Sequence, residues 1–216
     1  MSADSMVCRE REGSTRSPLL VCFIGLHRSG KTSSIETLIR TCRKEGHSVA
    51  SVKLMQHSDI PIDTEGKDTW RHIQAGSEVV AAVTHSGTLM LTQDNKYQSL
   101  EGILSLIPHH IDIVILEGRP EQVSGKYWLN EVVCLKGIDD AEETFRVRTI
   151  ENPVAFSGVF SKDFKKEAHS IVYYPLEKRI GINKEPLKEL TDLRVIPVLD
   201  LTDPNDALKL LDILRK

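Results

Sequence analysis

The sequence has few aromatic residues and no excess of charge of either sign. Phe, Trp and Tyr make up 5% of its 216 residues, and its formal net charge at pH 7 is −3. Proteins that bind nucleic acid usually have more aromatic side chains for base stacking and an excess of basic side chains for the phosphates, so we predict no nucleic-acid partner. No apolar run reaches the length of about 20 residues that crosses a bilayer, so we expect no membrane segment.

Cysteines are also sparse, and they are far apart. Cys8, Cys22, Cys42 and Cys134 form no C-x-x-C pair, which disfavours a zinc site. Cys22 and Cys42 fall in predicted buried positions and are expected to be reduced core residues. Reduced cysteines are typical of cytosolic proteins, so we expect a cytoplasmic protein.

The length and composition fit one globular domain. The chain is 40% hydrophobic and 27% charged, which is an ordinary balance. Residues 1–18 are polar without an apolar segment, so we predict a disordered leader. Residues 19–216 are predicted to form a single domain, in which the charged and irregular tract 158–192 is an insertion or small subdomain.

Apolar runs of strand length alternate with segments of helical spacing. This order predicts an α/β fold with a mostly parallel sheet flanked by helices. Residues 111–116 form the most apolar run and are predicted to be a central strand. The other predicted strands include residues 19–24, 47–54, 79–83, 131–135, 153–157 and 194–198, and the predicted helices are 33–44, 67–76, 100–107 and 203–215.

The stretch from Gly25 to Thr32, G-L-H-R-S-G-K-T, fits the pattern G-x-x-x-x-G-K-[ST] between a strand and a helix. Backbone N–H groups at such a turn point at one spot and attract a polyphosphate. Lys31 would reach the β and γ phosphates, and the Thr32 hydroxyl would bind Mg²⁺. The predicted nucleotide contacts in this segment are Gly25, His27, Arg28, Ser29, Gly30, Lys31, Thr32 and Ser33.

A carboxylate stands where the most apolar run stops. Residues 113–118 read I-V-I-L-E-G, which places Glu117 at the carboxyl end of the predicted central strand. Ligands of parallel sheets bind at that edge, and nucleotide-hydrolysing proteins of this type hold Mg²⁺ with a second acid there. Glu117 is therefore a candidate metal ligand; the alternative is a solvated glutamate at a strand end.

Residues 63–71, D-T-E-G-K-D-T-W-R, gather three acids, two bases and a tryptophan after the second strand. We expect them at the same carboxyl-end edge, where Asp63, Asp68, Lys67 and Arg71 could contact Mg²⁺, a phosphate or a second substrate. A charged and capped helix start would explain the same pattern. Lys53, which ends the second strand, could likewise face an anion or be exposed.

These blocks together resemble the molybdopterin-guanine dinucleotide biosynthesis adapter family, MobB. The resemblance rests on residues 21–32, on D-x-x-G-K-D-[ST]-x-R continuing to Ala75-Gly76, and on residues 112–118. It covers about residues 19–135. The family implies a P-loop protein, usually a dimer, that binds GTP with Mg²⁺ and has weak GTPase activity. It assists a partner guanylyltransferase, MobA, which attaches GMP to molybdopterin.

The resemblance assigns roles to particular residues. It implies nucleotide contacts from the loop and from Lys53, Lys67 and Arg71, and Mg²⁺ contacts from Thr32, Asp63 and Glu117. Lys31, Asp63 and Asp68 would take part in slow hydrolysis. The chain departs from the family pattern K-H-x-H-H after the second strand, where it reads Lys53-Leu54-Met55-Gln56-His57 and keeps only the last histidine.

Two other functions fit the same motifs. One is an ATP-dependent ligase or kinase similar to dethiobiotin synthetase, which also has a lysine after the second strand and a Glu-Gly at a strand end. It would turn over a small acceptor without a protein partner. The other is a regulatory module that binds nucleotide without hydrolysing it. The G-K-D-T-W-R block favours the adapter.

Overall fold

The computed structural model describes residues 17–55, 63–118, 129–164, 170–174, 179–182 and 194–215. Residues 1–16 of the predicted leader lie outside these ranges, as does His57. The strands are β1 (Leu19–Ile24), β2 (Val49–Lys53), β3 (Val79–Thr84), β4 (Gly87–Thr92), β5 (Ile113–Glu117), β6 (Asn130–Leu135), β7 (Pro153–Gly158), β8 (Ser170–Tyr174), β9 (Arg179–Ile182) and β10 (Arg194–Pro197). The helices are α1 (Lys31–Lys44), α2 (Asp68–Gln74), α3 (Leu100–Ser105), α4 (Ala141–Val147), α5 (Ser161–Phe164) and α6 (Pro204–Leu214).

The main sheet has five strands in the order β2-β5-β1-β6-β7, and every neighbouring pair is parallel. The predicted α/β fold is thus confirmed. The strand predicted to be central is β5, which lies between β2 and β1 and is buried at Ile113–Leu116. Because all five strands run the same way, the residues that follow them meet at one edge of the sheet.

The core covers both faces of this sheet, because successive strand side chains point to opposite sides. In β1, Val21 and Phe23 pack in a cluster with Leu38 of α1 and Leu210 of α6. Cys22 and Ile24 pack in the second cluster, on the other face. Side chains of β1 therefore contribute to the core on both sides of the sheet.

Two smaller antiparallel sheets accompany the main one. Strands β3 and β4 form a two-stranded hairpin, and β8 pairs with β9 and β10 in a three-stranded sheet. Strands β8 and β9 fall in the tract that we predicted as an insertion, where short β-branched fragments stand between charged segments and did not indicate strands. The predicted strand at 194–198 exists as β10, which pairs with β8. Val198, just after β10, forms a parallel bridge with Phe156 of β7 in the main sheet.

Helix ends follow local signals in the sequence. Asp203 caps α6 as predicted, since its carboxylate accepts a hydrogen bond from the backbone N–H of Asn205 at 2.9 Å. Helix α1 begins at Lys31, two residues before the predicted start at Ser33. In the described part of the chain, every helix is too short or too polar to span a bilayer.

Candidate functional site

The loop between β1 and α1 turns sharply at two residues with positive φ. Arg28 has a φ of 61° and Gly30 a φ of 88°, so Gly30 supplies a left-handed conformation that a side chain disfavours. Helix α1 starts directly after this turn, and Ser34 donates its N–H to the Gly30 carbonyl at 3.1 Å. The first N–H groups of α1, which have no hydrogen-bond partner within the helix, therefore lie at the edge of the sheet where β1 ends.

Gly25 begins the loop at a place with no room for a side chain. A Cβ there would collide with the carbonyl oxygen of Cys134 and lie 2.6 Å from Oγ of Ser29. Ser29 itself is fully buried, while His27, Arg28, Thr32 and Ser33 are exposed. The loop thus lies against the end of β6 on one side and presents polar side chains to solvent on the other.

Lys31 folds back over the loop. Its Nζ donates hydrogen bonds to the carbonyl of Leu26 at 2.7 Å, to that of Gly25 at 3.1 Å and to Oγ of Ser29 at 3.4 Å. Burial lowers the pKa of Lys31 below its ordinary value of 10.5, and the nearby carboxylate of Glu117 partly opposes that decrease. The ammonium group is therefore held where a bound phosphate chain would meet it.

Glu117 and Thr32 contact each other across the site. Oγ1 of Thr32 donates to Oε1 of Glu117 at 3.2 Å, although the two residues are 85 positions apart in sequence. Glu117 is also the register partner of Phe23 on β1 and of Lys53 on β2. The structure thus brings the strand-end acid, the loop threonine and the exposed Lys53 to the same edge of the sheet.

Gly118 lets β5 end close to its neighbour. A Cβ on Gly118 would collide with the carbonyl oxygen of Leu54, and its φ is 133°. Its N–H donates to the carbonyl of Phe23 at 3.3 Å, and the N–H of Leu54 donates to the carbonyl of Glu117 at 2.8 Å. These bonds hold the backbone around Glu117 between β1 and β2, which fixes where its carboxylate can go.

The D-x-x-G-K-D block lies in a more exposed region. Lys67 is the N-cap residue of α2, a helix without a buried residue. Asp68 and Arg71 form an ion pair at 3.9 Å with side chains 90% and 71% exposed. Within the described residues, no hydrogen bond or ion pair connects Lys67, Asp68 or Arg71 to the loop.

Asp63 differs from the rest of this block. Its Oδ1 accepts the N–H of Thr64 at 2.7 Å, which ties the side chain to its own turn. Its Oδ2 is buried and has no hydrogen-bond partner among the described residues. A buried carboxylate oxygen without a partner is costly unless a cation or a donor completes it.

The donor set fits Mg²⁺ better than a transition metal. Within the described ranges, no group of three or more His, Cys, Asp or Glu side chains could hold a metal ion. Mg²⁺ needs no such cage, because it is usually held by one or two carboxylates together with substrate phosphates and water. The Thr32 hydroxyl and the Glu117 carboxylate, which contact each other at 3.2 Å, are oxygen donors of that kind. Among the described residues, no hydrogen bond joins Asp63 to either of them.

The three described cysteines are core residues. Cys22, Cys42 and Cys134 are buried and form no disulfide, which confirms the prediction for the first two, and Cys8 lies outside the described residues. Burial raises the pKa of Cys134 to about 12 and that of Cys42 to about 11. Both thiols therefore stay protonated at neutral pH and are poor nucleophiles and metal ligands.

Sequence reasoning missed the support for the loop beyond β7. The N–H of Val159 donates to the carbonyl of Ser29 at 3.3 Å, and a Cβ on Gly30 would lie 3.2 Å from Val159 N. A glycine at the end of an apolar strand, Gly158, was the available signal, since Gly118 stands directly after the apolar strand β5. It went unused because nothing local shows that β7 ends beside the loop.

The parallel sheet, the glycine turn into α1 and the acid at the end of the adjacent strand place the chain among the P-loop NTPase-like α/β proteins. Solved structures agree at the level of the fold. The superposition on the crystal structure of Bacillus subtilis MobB covers 90% of this chain and 96% of the MobB chain, with a TM-score of 0.55 and 22% sequence identity. The MobB homologue from Bacillus stearothermophilus covers 91% and 97%, with a TM-score of 0.52 and 18% identity.

Within that class, the chain belongs to the MobB family. The family model described as molybdopterin guanine dinucleotide synthesis protein B matches residues 20–128. A Haemophilus influenzae molybdopterin-guanine dinucleotide biosynthesis adapter protein is 29% identical over 125 residues, which is 57% of this chain and 70% of that protein. A Methanocaldococcus jannaschii protein, provisionally named as such an adapter, is 32% identical over 126 residues. That match spans 57% of this chain and half the length of the relative.

Proposed function

We propose that this chain binds GTP with Mg²⁺ at the loop after β1 and serves as an adapter for a MobA-like guanylyltransferase in molybdopterin guanine dinucleotide synthesis. The observation that carries the proposal is the contact between Thr32 and Glu117, 3.2 Å apart at the rim of the loop that Lys31 covers. Threonine and a strand-end acid at that distance are the ligands that Mg²⁺ uses beside a bound triphosphate. The names of the relatives supply the pathway.

Roles in binding follow from the positions of the side chains. Lys31 would exchange its three bonds to the loop for the β and γ phosphates, and N–H groups at the start of α1 would bind the same oxygens. Thr32 and Glu117 would hold Mg²⁺, with Asp63 as a further oxygen ligand. Lys53 would face the γ phosphate across β5.

Hydrolysis by the free chain is expected to be slow. Fast hydrolysis needs a cation that stabilises charge on the γ phosphate in the transition state. Arg28 is exposed at the loop, and Arg71 is paired with Asp68 on exposed α2. Asp68 and Arg71 would complete the site only when α2 or a partner brings them to the phosphates, which agrees with an adapter that acts with a transferase.

A homodimer is the assembly that the hairpin β3–β4 favours. Val79, Ala81, Val83 and Met90 lie on one face of this two-stranded sheet, and all four are exposed. A two-stranded sheet is marginal in water, and exposed apolar strands promote association. Pairing of two copies of the hairpin about a two-fold axis would bury the apolar face of each copy against the other.

The buried thiols also support the predicted cytoplasmic location.

The proposed nucleotide site is tested by calorimetric titration of Mg²⁺–GTP into the wild type and into a Lys31→Ala variant. The variant should lose nearly all affinity, because the half-buried ammonium group that the loop holds for the phosphates is removed. Lys44→Ala, at the exposed end of α1, is the matched control and should bind as the wild type does. Unchanged affinity in Lys31→Ala would reject the site. Rapid phosphate release without a partner protein would instead favour the ligase or kinase.

A further inference from the structure

The loop after β1 lies between two flanks of the main sheet. On one flank, β5 and β2 end at Glu117 and Lys53, which carry proposed metal and phosphate contacts. On the other flank, β6 ends at Leu135 and β7 at Gly158. Residues 158–161, the β7 turn, have no role in the proposed site, although their backbone contacts the loop.

A backbone hydrogen bond joins the β7 turn to the loop. The N–H of Val159 donates to the carbonyl oxygen of Ser29 at 3.3 Å. Ser29 is fully buried, and a Cβ on Gly158 would collide with the same carbonyl oxygen. The Ser29 carbonyl is therefore held against the β7 turn by a hydrogen bond and by close packing.

This hydrogen bond fixes the direction of the next backbone donor in the loop. The peptide bond between Ser29 and Gly30 is trans. In a trans peptide, the carbonyl of one residue and the N–H of the next point to opposite sides. Because the Ser29 carbonyl points toward Val159, the N–H of Gly30 points away from β7. Among the described residues this N–H has no acceptor, so it can bind a phosphate oxygen.

A side-chain hydrogen bond fixes the β7 turn itself. Oγ of Ser161 donates to the carbonyl of Gly158 at 2.7 Å, and Ser161 is fully buried. Gly158 has a φ of 110°, a conformation that glycine adopts without the strain of a side chain. The bond spans the turn, so the position of the Val159 N–H depends on the hydroxyl of Ser161.

Two phenylalanines anchor the β7 turn in the core. The ring centroids of Phe160 and Phe164 are 5.4 Å apart. Both residues belong to the buried cluster that also contains Ile171 of β8 and Ile196 of β10. The small three-stranded sheet is thereby connected to the loop through the β7 turn. This gives a use to the tract that the sequence marks only as an insertion.

We propose that the β7 turn positions the loop after β1 and that Ser161 is a positioning residue for nucleotide binding. Ser161 acts through Val159, whose N–H orients the peptide between Ser29 and Gly30, and makes no contact with the nucleotide. A loop that is already held in its binding geometry loses less conformational freedom when the ligand binds. The assignment rests on the proposed nucleotide-binding function and adds the support that prepares the loop for phosphate.

The first test follows amide hydrogen exchange of the wild type by NMR, with and without Mg²⁺–GTP. If the bond between Val159 and Ser29 must be closed for binding, GTP at about ten times its Kd should slow exchange of the Val159 amide about tenfold. The Lys96 amide, which Asp94 holds in the exposed turn after β4, is the control and should exchange at the same rate in both samples. Exchange at Val159 that does not respond to bound GTP would overturn the proposal.

The second test removes the hydroxyl of Ser161. Ser161→Ala should weaken binding of GTP and of inorganic triphosphate equally, by about two- to tenfold, as expected for one hydrogen bond. The enhancement by Mg²⁺ should keep its wild-type factor, because Thr32 and Glu117 lie away from the β7 turn. Thr144→Val is the matched control, since the Thr144 hydroxyl is equally buried and donates to the carbonyl of Asp140 at 2.8 Å. This control should bind both ligands as the wild type does.

Unchanged affinity of a folded Ser161→Ala variant, or an equal loss in Thr144→Val, would overturn the positioning role and leave the phosphate site intact. A loss for GTP without a loss for inorganic triphosphate would also contradict it, because the loop is proposed to bind phosphates. Absence of any nucleotide binding by the wild type would overturn the proposed function as well. If urea unfolding shows that Ser161→Ala is not folded, the exchange measurement on the wild type decides alone.

Discussion

At the scale of single residues, the site depends on glycines, whose lack of a Cβ lets neighbouring backbones approach closely, as well as on polar side chains. Gly25 touches the backbone of β6, Gly118 that of Leu54, and Gly158 that of Leu135. Each marks a place where one backbone passes against another near the site. Such contacts cannot be relaxed by rotating a side chain, because the neighbouring atoms belong to the main chain.

A Gly25→Ala substitution should therefore destabilise the fold. The added methyl group would overlap the carbonyl of Cys134, and overpacking of this kind costs about 1–3 kcal/mol. Urea unfolding measures the loss as a lower midpoint with an unchanged slope.

Gly137→Ala is the matched control, since nothing lies within 4 Å of a Cβ there and its φ is −150°. Its free energy of unfolding should change by less than about 0.5 kcal/mol. An equal loss in both variants would show that the contact with β6 is not responsible.

At the scale of secondary-structure elements, the hairpin β3–β4 buries little of its own surface. Its one buried residue is Val80, while Val83 is 77% exposed and Leu89 50%. Helix α2 packs beside β3 and is itself without a buried residue. A hairpin and a helix with so little core of their own need a partner surface, which is the physical basis for the proposed dimer.

Val83→Asp should convert the proposed dimer into a monomer, because a charge on the apolar face would be buried against its symmetry mate. Light scattering with size-exclusion chromatography reports the mass directly. Val195→Asp, on an exposed strand position of the other small sheet, should leave the mass unchanged. A wild type that is already monomeric at micromolar concentration, or a dimer that survives Val83→Asp, would refute this role for the hairpin.

At the scale of the whole molecule, the sequence predicts the phosphate side of the site and misses its other side. The loop motif is contiguous, and Glu117 ends a strand that is apolar enough to recognise. Their contact then follows from the parallel order of β5 and β1. The end of β6 at Cys134 and the residues after β7 meet the loop only through the tertiary fold, so no local pattern reveals them.

Other elements escaped prediction for similar reasons. Helix α4 is mostly charged, with Glu142, Glu143 and Arg146 beside one large buried side chain, Phe145. Its apolar residues therefore do not recur at helical spacing, and the sequence pattern did not indicate a helix. The helix predicted at 67–76 exists as α2, and Asp68 and Arg71 are exposed on it. A role for these residues beside the phosphates stays a prediction.

The central claim is that Thr32 and Glu117 hold Mg²⁺ against a triphosphate bound in the loop. Titration of GTP with and without Mg²⁺, into the wild type and Glu117→Gln, tests it most directly. Mg²⁺ should strengthen GTP binding by the wild type at least about tenfold, which corresponds to 1.4 kcal/mol. In Glu117→Gln the Mg²⁺-free affinity should persist and the enhancement should disappear. Full enhancement in the variant, or no response to Mg²⁺ in the wild type, would contradict the account.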